Sequence, residues 1–394
     1  MAITVFLVSC SNKSNRLADN DFEILPGTFT AKDISLFEIA EDLEIIPISN
    51  EMPIPSIRFI TWYDSVFYIA HKAQGKIYRF SQDGKYIDVL DKQGRGEGEY
   101  QYIVDFFVDS STGNIYVSTS VNKIVVYDNN FNHLRDIKYP QKRDGSIRSL
   151  WLDGYIHIFY FNDTGKGYGW FRIDSIGNVM DSRPCVDTYK TPAYTYAIQL
   201  FYNNNKLYRY FDYNDTIYEI DSEGYRPYKI VNRTFSDGYD DVYLEGKSQA
   251  DPGRNISSRR IRSIFGIGDY WMINYIKYKN SSKYKLEETV LYDYTNDISY
   301  IVNTFEPSKE LPFSIGLFND WVGSGTIYPK AILEMNGSRY ILHSVAAIDF
   351  LNYVNSESFV EGIPCRPELK QKLERIADTL TIEDNPVMIL LKLK

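Results

Sequence analysis

The chain has 394 residues, a net charge of −9 and a pI near 5.2, with 44% hydrophobic and 24% charged residues. That balance excludes a mostly disordered chain, and the acidic surplus excludes the basic footprint of a nucleic-acid binder. The 34 Tyr and 22 Phe lean towards β structure, because aromatic side chains suit pleated, half-buried surfaces.

Residues 2–9 (AITVFLVS) form a short apolar run, followed by Cys10 and the polar stretch SNKSNRLADND. The run is too short to cross a bilayer and fits the core of a signal peptide. Leu7-Val8-Ser9-Cys10 resembles a bacterial lipobox, although no Lys or Arg precedes the apolar core. The expectation is a signal and tether over residues 1–22, with Cys10 lipidated, and one folded domain over residues 23–394. Cys185 and Cys365 have no Cys or His partner at metal-ligand spacing, so no metal site is expected. A single long-range disulfide is open to them in an oxidising compartment; two buried unpaired thiols are the expectation.

A repeat dominates the middle of the chain. Short apolar strands end at Phe80, Tyr127, Ile173, Ile220 and Tyr292, each followed by a polar turn: SQDGKY, DNNFNHL, DSIGNVM, DSEGYRP and DYTNDISY. The first three intervals are nearly equal, and the longer fourth holds an insert at about residues 232–259. Each anchor strand follows another strand: Phe67 to Ile69, Ile115 to Val117, Tyr155 to Phe161, Leu207 to Tyr210 and Tyr270 to Tyr278. Alternation at period two, Asp-Gly and Asn-Asn turns, and a period of roughly 40–50 residues predict β-propeller blades. Strands at Thr326 to Leu333, Tyr340 to Ser344 and Val387 to Leu393 supply a sixth blade, with a helix at Pro367 to Leu380 inserted in it. The fold class is therefore all-β: six four-stranded antiparallel blades and a short C-terminal helix. The apolar strand Val387 to Leu393 is expected to pair with Leu43 to Ile48, so that both ends of the chain close the ring.

The Gly-rich segment Gly94-Arg95-Gly96-Glu97-Gly98-Glu99-Tyr100 precedes Ile103 to Val108, Ile115-Tyr116-Val117 and Lys123 to Asp128. Its spacing is not that of a dinucleotide loop, and strands follow it rather than a helix, so it reads as an inter-blade turn. With the strands after it, the segment resembles an NHL-type repeat. From the lipobox to the ending Glu383 to Leu390, the chain resembles the six-bladed β-propeller lipoproteins of Bacteroidetes. That resemblance implies a lipid-anchored envelope protein and no particular cofactor. Gly246-Lys247-Ser248 lacks the preceding Gly that a phosphate loop needs and is set aside.

Candidate site residues come from the starts of repeats. Ile57-Arg58-Phe59-Ile60, Ile147-Arg148-Ser149-Leu150 and Ile261-Arg262-Ser263-Ile264 share a pattern and precede their anchor strands. If these are innermost strands with the Ile side chains between blades, alternation turns Arg58, Arg148 and Arg262 to the central channel. Guanidinium groups gathered there would take an anionic ligand; pairing with acidic residues of neighbouring blades is the competing expectation. Trp62 and Trp151 follow on the same strands and would offer a stacking surface or, by default, blade packing. The four His residues form no H-x-x-H or H-E-x-x-H pattern, and His157 in its apolar strand reads as structural. The expected function is a binding or scaffold module for a small molecule, glycan or envelope protein, without nucleic acid. The alternative is a propeller hydrolase or lyase with acidic or metal-binding residues at the channel.

Overall fold

In four repeats the residue just after the last apolar position of the anchor strand organises a hairpin. Asp128 Oδ1 accepts from the backbone N–H groups of Asn130 and Asn132 at 2.8 Å, and Asp174 Oδ1 from those of Ile176 and Asn178 at 3.0 and 2.8 Å. Asp293 Oδ1 holds Thr295 and Asn296 at 3.0 and 2.9 Å, and Ser81 Oγ holds Lys85 at 3.1 Å. A short side chain that caps its own turn makes the reversal local, so each third strand leads straight into a fourth.

The computed structural model describes residues 34–394 apart from 72–74, 121, 143–146, 161–166, 185–198, 205, 212–213, 222–223, 232–258, 280–283 and 306–315, together with the short strands Glu23–Ile24 and Thr30–Ala31. Cys10, Cys185, Gly246-Lys247-Ser248 and nearly all of the expected insert lie outside the described residues.

Six four-stranded antiparallel sheets form the blades of a propeller. Their first strands are Phe59–Tyr63, Ile103–Val108, Ile147–Leu152, Gln199–Asn203, Arg259–Ile267 and Ala331–Met335, in blades 1 to 6. These are the innermost strands, since they meet one another from blade to blade. The two short N-terminal strands add parallel edges to blades 4 and 5. Blade 6 takes its third strand from Val387–Leu393 and its outermost from Ala40–Pro47, in register from Val387↔Pro47 to Leu393↔Ala40. The expected closure by both termini is what the structure shows.

Successive blades pack through apolar wedges. Between blades 1 and 2 lie Tyr68, Ile77, Ile103, Ile115 and Val125, all buried. Between blades 3 and 4 the wedge is small: Phe159, Trp170, Leu207 and Ile220. His157 and Arg209, both buried, are on the same strands. The largest wedge separates blades 5 and 6. There the helices Ala347–Val354, Glu357–Glu361 and Pro367–Ala377 bury Phe350, Tyr353, Phe359, Leu369 and Leu373 against Met272, Leu291, Ile341 and Leu391.

The structure corrects several expectations. The strand expected over Thr326 to Leu333 breaks at Pro329 into Thr326–Ile327 and Ala331–Met335, because Pro has no N–H for a ladder. The C-terminal helix ends at Ala377, and two shorter helices precede it in the same insertion. Cys365 is an exposed free thiol, not a buried one, because it sits where the chain enters that helix.

The Gly-rich segment is the turn between blades 1 and 2, as expected. Gly98 has φ +68°, and a Cβ there would lie 2.6 Å from the His133 ring. Its carbonyl accepts from the buried Tyr127 hydroxyl at 2.6 Å. Gly98→Ala is expected to cost about 2 kcal/mol, from left-handed backbone strain plus the clash. In a His133→Gly background, which removes both the ring and the Cβ that would lie 2.9 Å away, the cost should fall to about 1 kcal/mol, the backbone part alone. Equal losses in both backgrounds, measured by urea unfolding, would show that the ring contact contributes nothing.

Candidate functional site

Near the start of five inner strands a buried residue is followed by one whose side chain is free of the wedge. Ile57, Ile103, Ile147 and Ile261 are buried between blades, and Pro329 takes that place in blade 6. The residue after each is Arg58, Val104, Arg148, Arg262 or Lys330, and blade 4 starts its inner strand with Gln199. Register supports the equivalence. Arg58 N–H donates to Ala70 and Lys330 N–H to Leu342, each the carbonyl opposite the following residue. Thus four of six corresponding positions are cationic, at the end of the channel where the inner strands start.

Contacts join two of these groups and fix two of them to carboxylates. The guanidinium groups of Arg58 and Arg148 each lie 5.7 Å from the centre of the Phe59 ring. Arg148 Nη1 is 3.5 Å from Asp105 Oδ1 of blade 2. Asp105 is buried, and Ser149 N–H donates to its second oxygen at 3.2 Å. Burial pushes the Asp105 carboxyl up, with Arg148 pulling in the opposite sense. Arg262 Nη1 donates to both oxygens of Glu287 at 2.6 Å, and the Arg262 carbonyl accepts from Gln199 Nε2 at 3.0 Å. The Arg262 guanidinium lies 5.9 Å from the Tyr328 ring, whose hydroxyl meets Ser263 Oγ at 3.1 Å.

Arg58 and Lys330 differ from the other two. Neither has a carboxylate partner among the described residues. Solvent reaches Lys330 although protein surrounds most of its ammonium, as befits a group inside a channel mouth. Burial first, then Arg58 and Arg262, hold that ammonium below its usual range. Lys330 is therefore in the electrostatic reach of both arginines.

Of the three arginines singled out from sequence, Arg58 and Arg148 meet at the Phe59 ring; Arg148 pairs with a neighbouring blade, Arg262 pairs within its own, and Arg58 has no carboxylate partner among the described residues. The structure does not bring Trp62 and Trp151 to the cluster. Both sit further along their strands, towards the opposite end. Trp62 packs edge-on against Phe67, 4.6 Å between ring centres, beside the wedge of blades 6 and 1. Trp151 lies 5.7 Å from Tyr116 in the wedge of blades 2 and 3. Sequence reading missed Lys330, Asp105, Glu287 and Gln199. Lining up each residue that follows a buried strand-opening position would have found Lys330. Among the described residues no group of three His, Cys, Asp or Glu side chains stands together as a metal site.

A family model described as a domain of unknown function, DUF4934, matches residues 26–392. A Bacteroides fragilis protein described as exported has a similar structure, with a TM-score of 0.62 and 16% identity over 95% of this chain and 99% of that one. A member of the DUF4221 family from Bacteroides vulgatus superposes with a TM-score of 0.52 and 11% identity, over 90% and 97% of the two chains. At these identities the likeness is one of fold. No curated protein matches the chain.

Proposed function

The chain belongs to the DUF4934 family, and we propose that it is a cell-envelope propeller that binds an anionic ligand at the mouth of its channel. The observation that carries this reading is the gathering of Arg58, Arg148, Arg262 and Lys330 from four blades at one end of the inner strands, paired among the described residues with Asp105 and Glu287 alone. Like charges repel, and holding them together costs stability unless a counter-charge arrives. A rigid ring that gathers four cations beside two carboxylates is organised for an anion. Candidate ligands are a small acid, an acidic glycan or a carboxylate of an envelope protein. The envelope location is supported by the exported protein of the same fold and by the lipobox-like Leu7-Val8-Ser9-Cys10, with Cys10 as the lipid-bearing residue. Two acyl signals or more are needed for firm attachment, so a Cys10→Ala protein should appear in the soluble fraction.

The binding reading is tested by calorimetric titration with citrate, glucuronate, inorganic phosphate and neutral glucose. At least one anion should bind, and Arg58→Ala with Arg148→Ala should weaken it tenfold or more while glucose shows no binding. If every anion fails to bind, or if the double variant binds as the parent does, the mouth is not the site.

A further inference from the structure

The cations of the mouth are not equivalent, and their inequality specifies the ligand's charge. Arg148 has Asp105 at 3.5 Å, and Arg262 has Glu287 at 2.6 Å. Arg58 and Lys330, on adjoining blades 1 and 6, have no carboxylate among the described residues. We infer that Arg58 and Lys330, with Arg262 beside them, form a subsite for a dianionic oxyanion, the phosphate monoester end of a ligand. This rests on the reading of the mouth as an anion site and goes further, to its charge and chemical class.

Three features support it. Two positive charges without a carboxylate partner among the described residues match the charge of about −2 on a phosphate monoester at neutral pH. The donor types are complementary: a planar guanidinium that grips two oxygens, and a compact ammonium that serves as a point charge. Arg262 is fixed by its two bonds to Glu287 through Nη1 alone, which leaves Nε and Nη2 without a partner among the described residues. Around them, Phe59 and Tyr328 give the subsite aromatic walls, each ring 5.7 to 5.9 Å from a guanidinium carbon. An aromatic or sugar body attached to the phosphate would lie against those rings. A bound dianion would also restore to the Lys330 ammonium the basicity that burial and its cationic neighbours remove.

Phenyl phosphate and benzoate share a ring and differ in the charge of the head, so they are the probes. Titrated calorimetrically at pH 7.5, phenyl phosphate should bind at least tenfold more tightly than benzoate. The preference should shrink at pH 5.0, where the phosphate carries one charge. Lys330→Met and Arg58→Met should each reduce the preference to about threefold or less, and Lys330→Arg should restore most of it. Both positions are solvent-exposed and removing one of the gathered charges relieves repulsion, so the variants should melt no lower than the parent. Equal binding of both probes, lost together in Arg58→Met, would leave the anion site standing and overturn the dianion subsite. Phosphate binding unchanged in both Met variants would place the subsite elsewhere and overturn the inference. If neither probe nor any other anion binds, the underlying reading of the mouth fails with it.

Discussion

Removal of residues 387–394 is expected to abolish cooperative folding. Val387, Met388, Ile389, Leu390, Leu391 and Leu393 are all buried. At roughly 1.5–3 kcal/mol for each buried apolar side chain, their loss amounts to about 9–18 kcal/mol, as large as the whole stability of an ordinary domain. The deletion also opens the ladder on both sides: Ser338–Val345 loses one of its two partners, and Ala40–Pro47 loses the one it has among the described residues. Two apolar edges without partners invite association between chains. The truncated protein should elute as aggregate and show no sigmoidal urea transition. Removing Lys394 alone, which ties its N–H to Ile39 at 3.1 Å, should be nearly neutral. A truncated chain that stays monomeric with the parent's melting temperature would show that the ring is closed by other means.

Mild acid should destabilise the ring through two histidines. His157 and His343 are buried, with pKa values pushed down to about 4, by burial in both cases and additionally by Arg172 for His157. Geometry acts in the same direction. His157 Nδ1 accepts from Trp170 Nε1–H at 3.3 Å, and His343 Nδ1 from the Tyr328 N–H at 3.2 Å. A proton on either Nδ1 would set N–H against N–H. Above pH 6.5 both rings are neutral folded and unfolded, and stability is complete. As pH falls from 6.5 towards 4 the unfolded chain takes up protons that the folded chain refuses. Each ring then costs about 1.4 kcal/mol per pH unit, near 2 kcal/mol at pH 5. Asp105, with its carboxyl pushed up by burial, acts in the opposite sense. The test therefore compares urea midpoints at pH 7.5 and 5.0 for the parent and for His157→Leu with His343→Leu. The parent should lose about 4 kcal/mol more than the double variant over that interval. Equal pH slopes would show that the two rings take up protons in the folded state as readily as in the unfolded.

Much of the fold was legible because its signals are local. Asp128, Asp174 and Asp293 announce hairpins through bonds to residues two to four positions ahead, and a continuous apolar run such as Ile115-Tyr116-Val117 marks a strand buried on both faces. What escaped reading was short or distant. The helix Glu357–Glu361 is too brief for a periodic signal. Pro329 disguised the equivalence of Lys330 with Arg58. Asp105 and Glu287 matter to the mouth only because sheet pairing and ring geometry bring them to Arg148 and Arg262. For the tryptophans two roles stayed open in the sequence, and Trp62 and Trp151 take the packing one, because residue type and nearness along a strand do not fix whether a side chain faces a channel or a neighbouring blade.

The pairing of Ala40–Pro47 with Val387–Leu393 also sets a timetable for synthesis. About 340 residues separate Pro47 from Val387, so at 5–20 residues per second the first of these strands waits tens of seconds for its partner to be made. During that wait it is an apolar strand with no neighbour, in company with five blades that are completing themselves from local hairpins. Its sequence carries protection: Glu41 and Asp42 are exposed and Glu44 half-exposed, alternating with buried Leu43 and Ile45. Negative charge on the nascent edge discourages neighbouring ribosomes' chains from adding a strand. The same carboxylates are then reused, Glu41 meeting Lys392 at 2.8 Å and Asp42 meeting Arg366 at 3.6 Å once the last strand arrives.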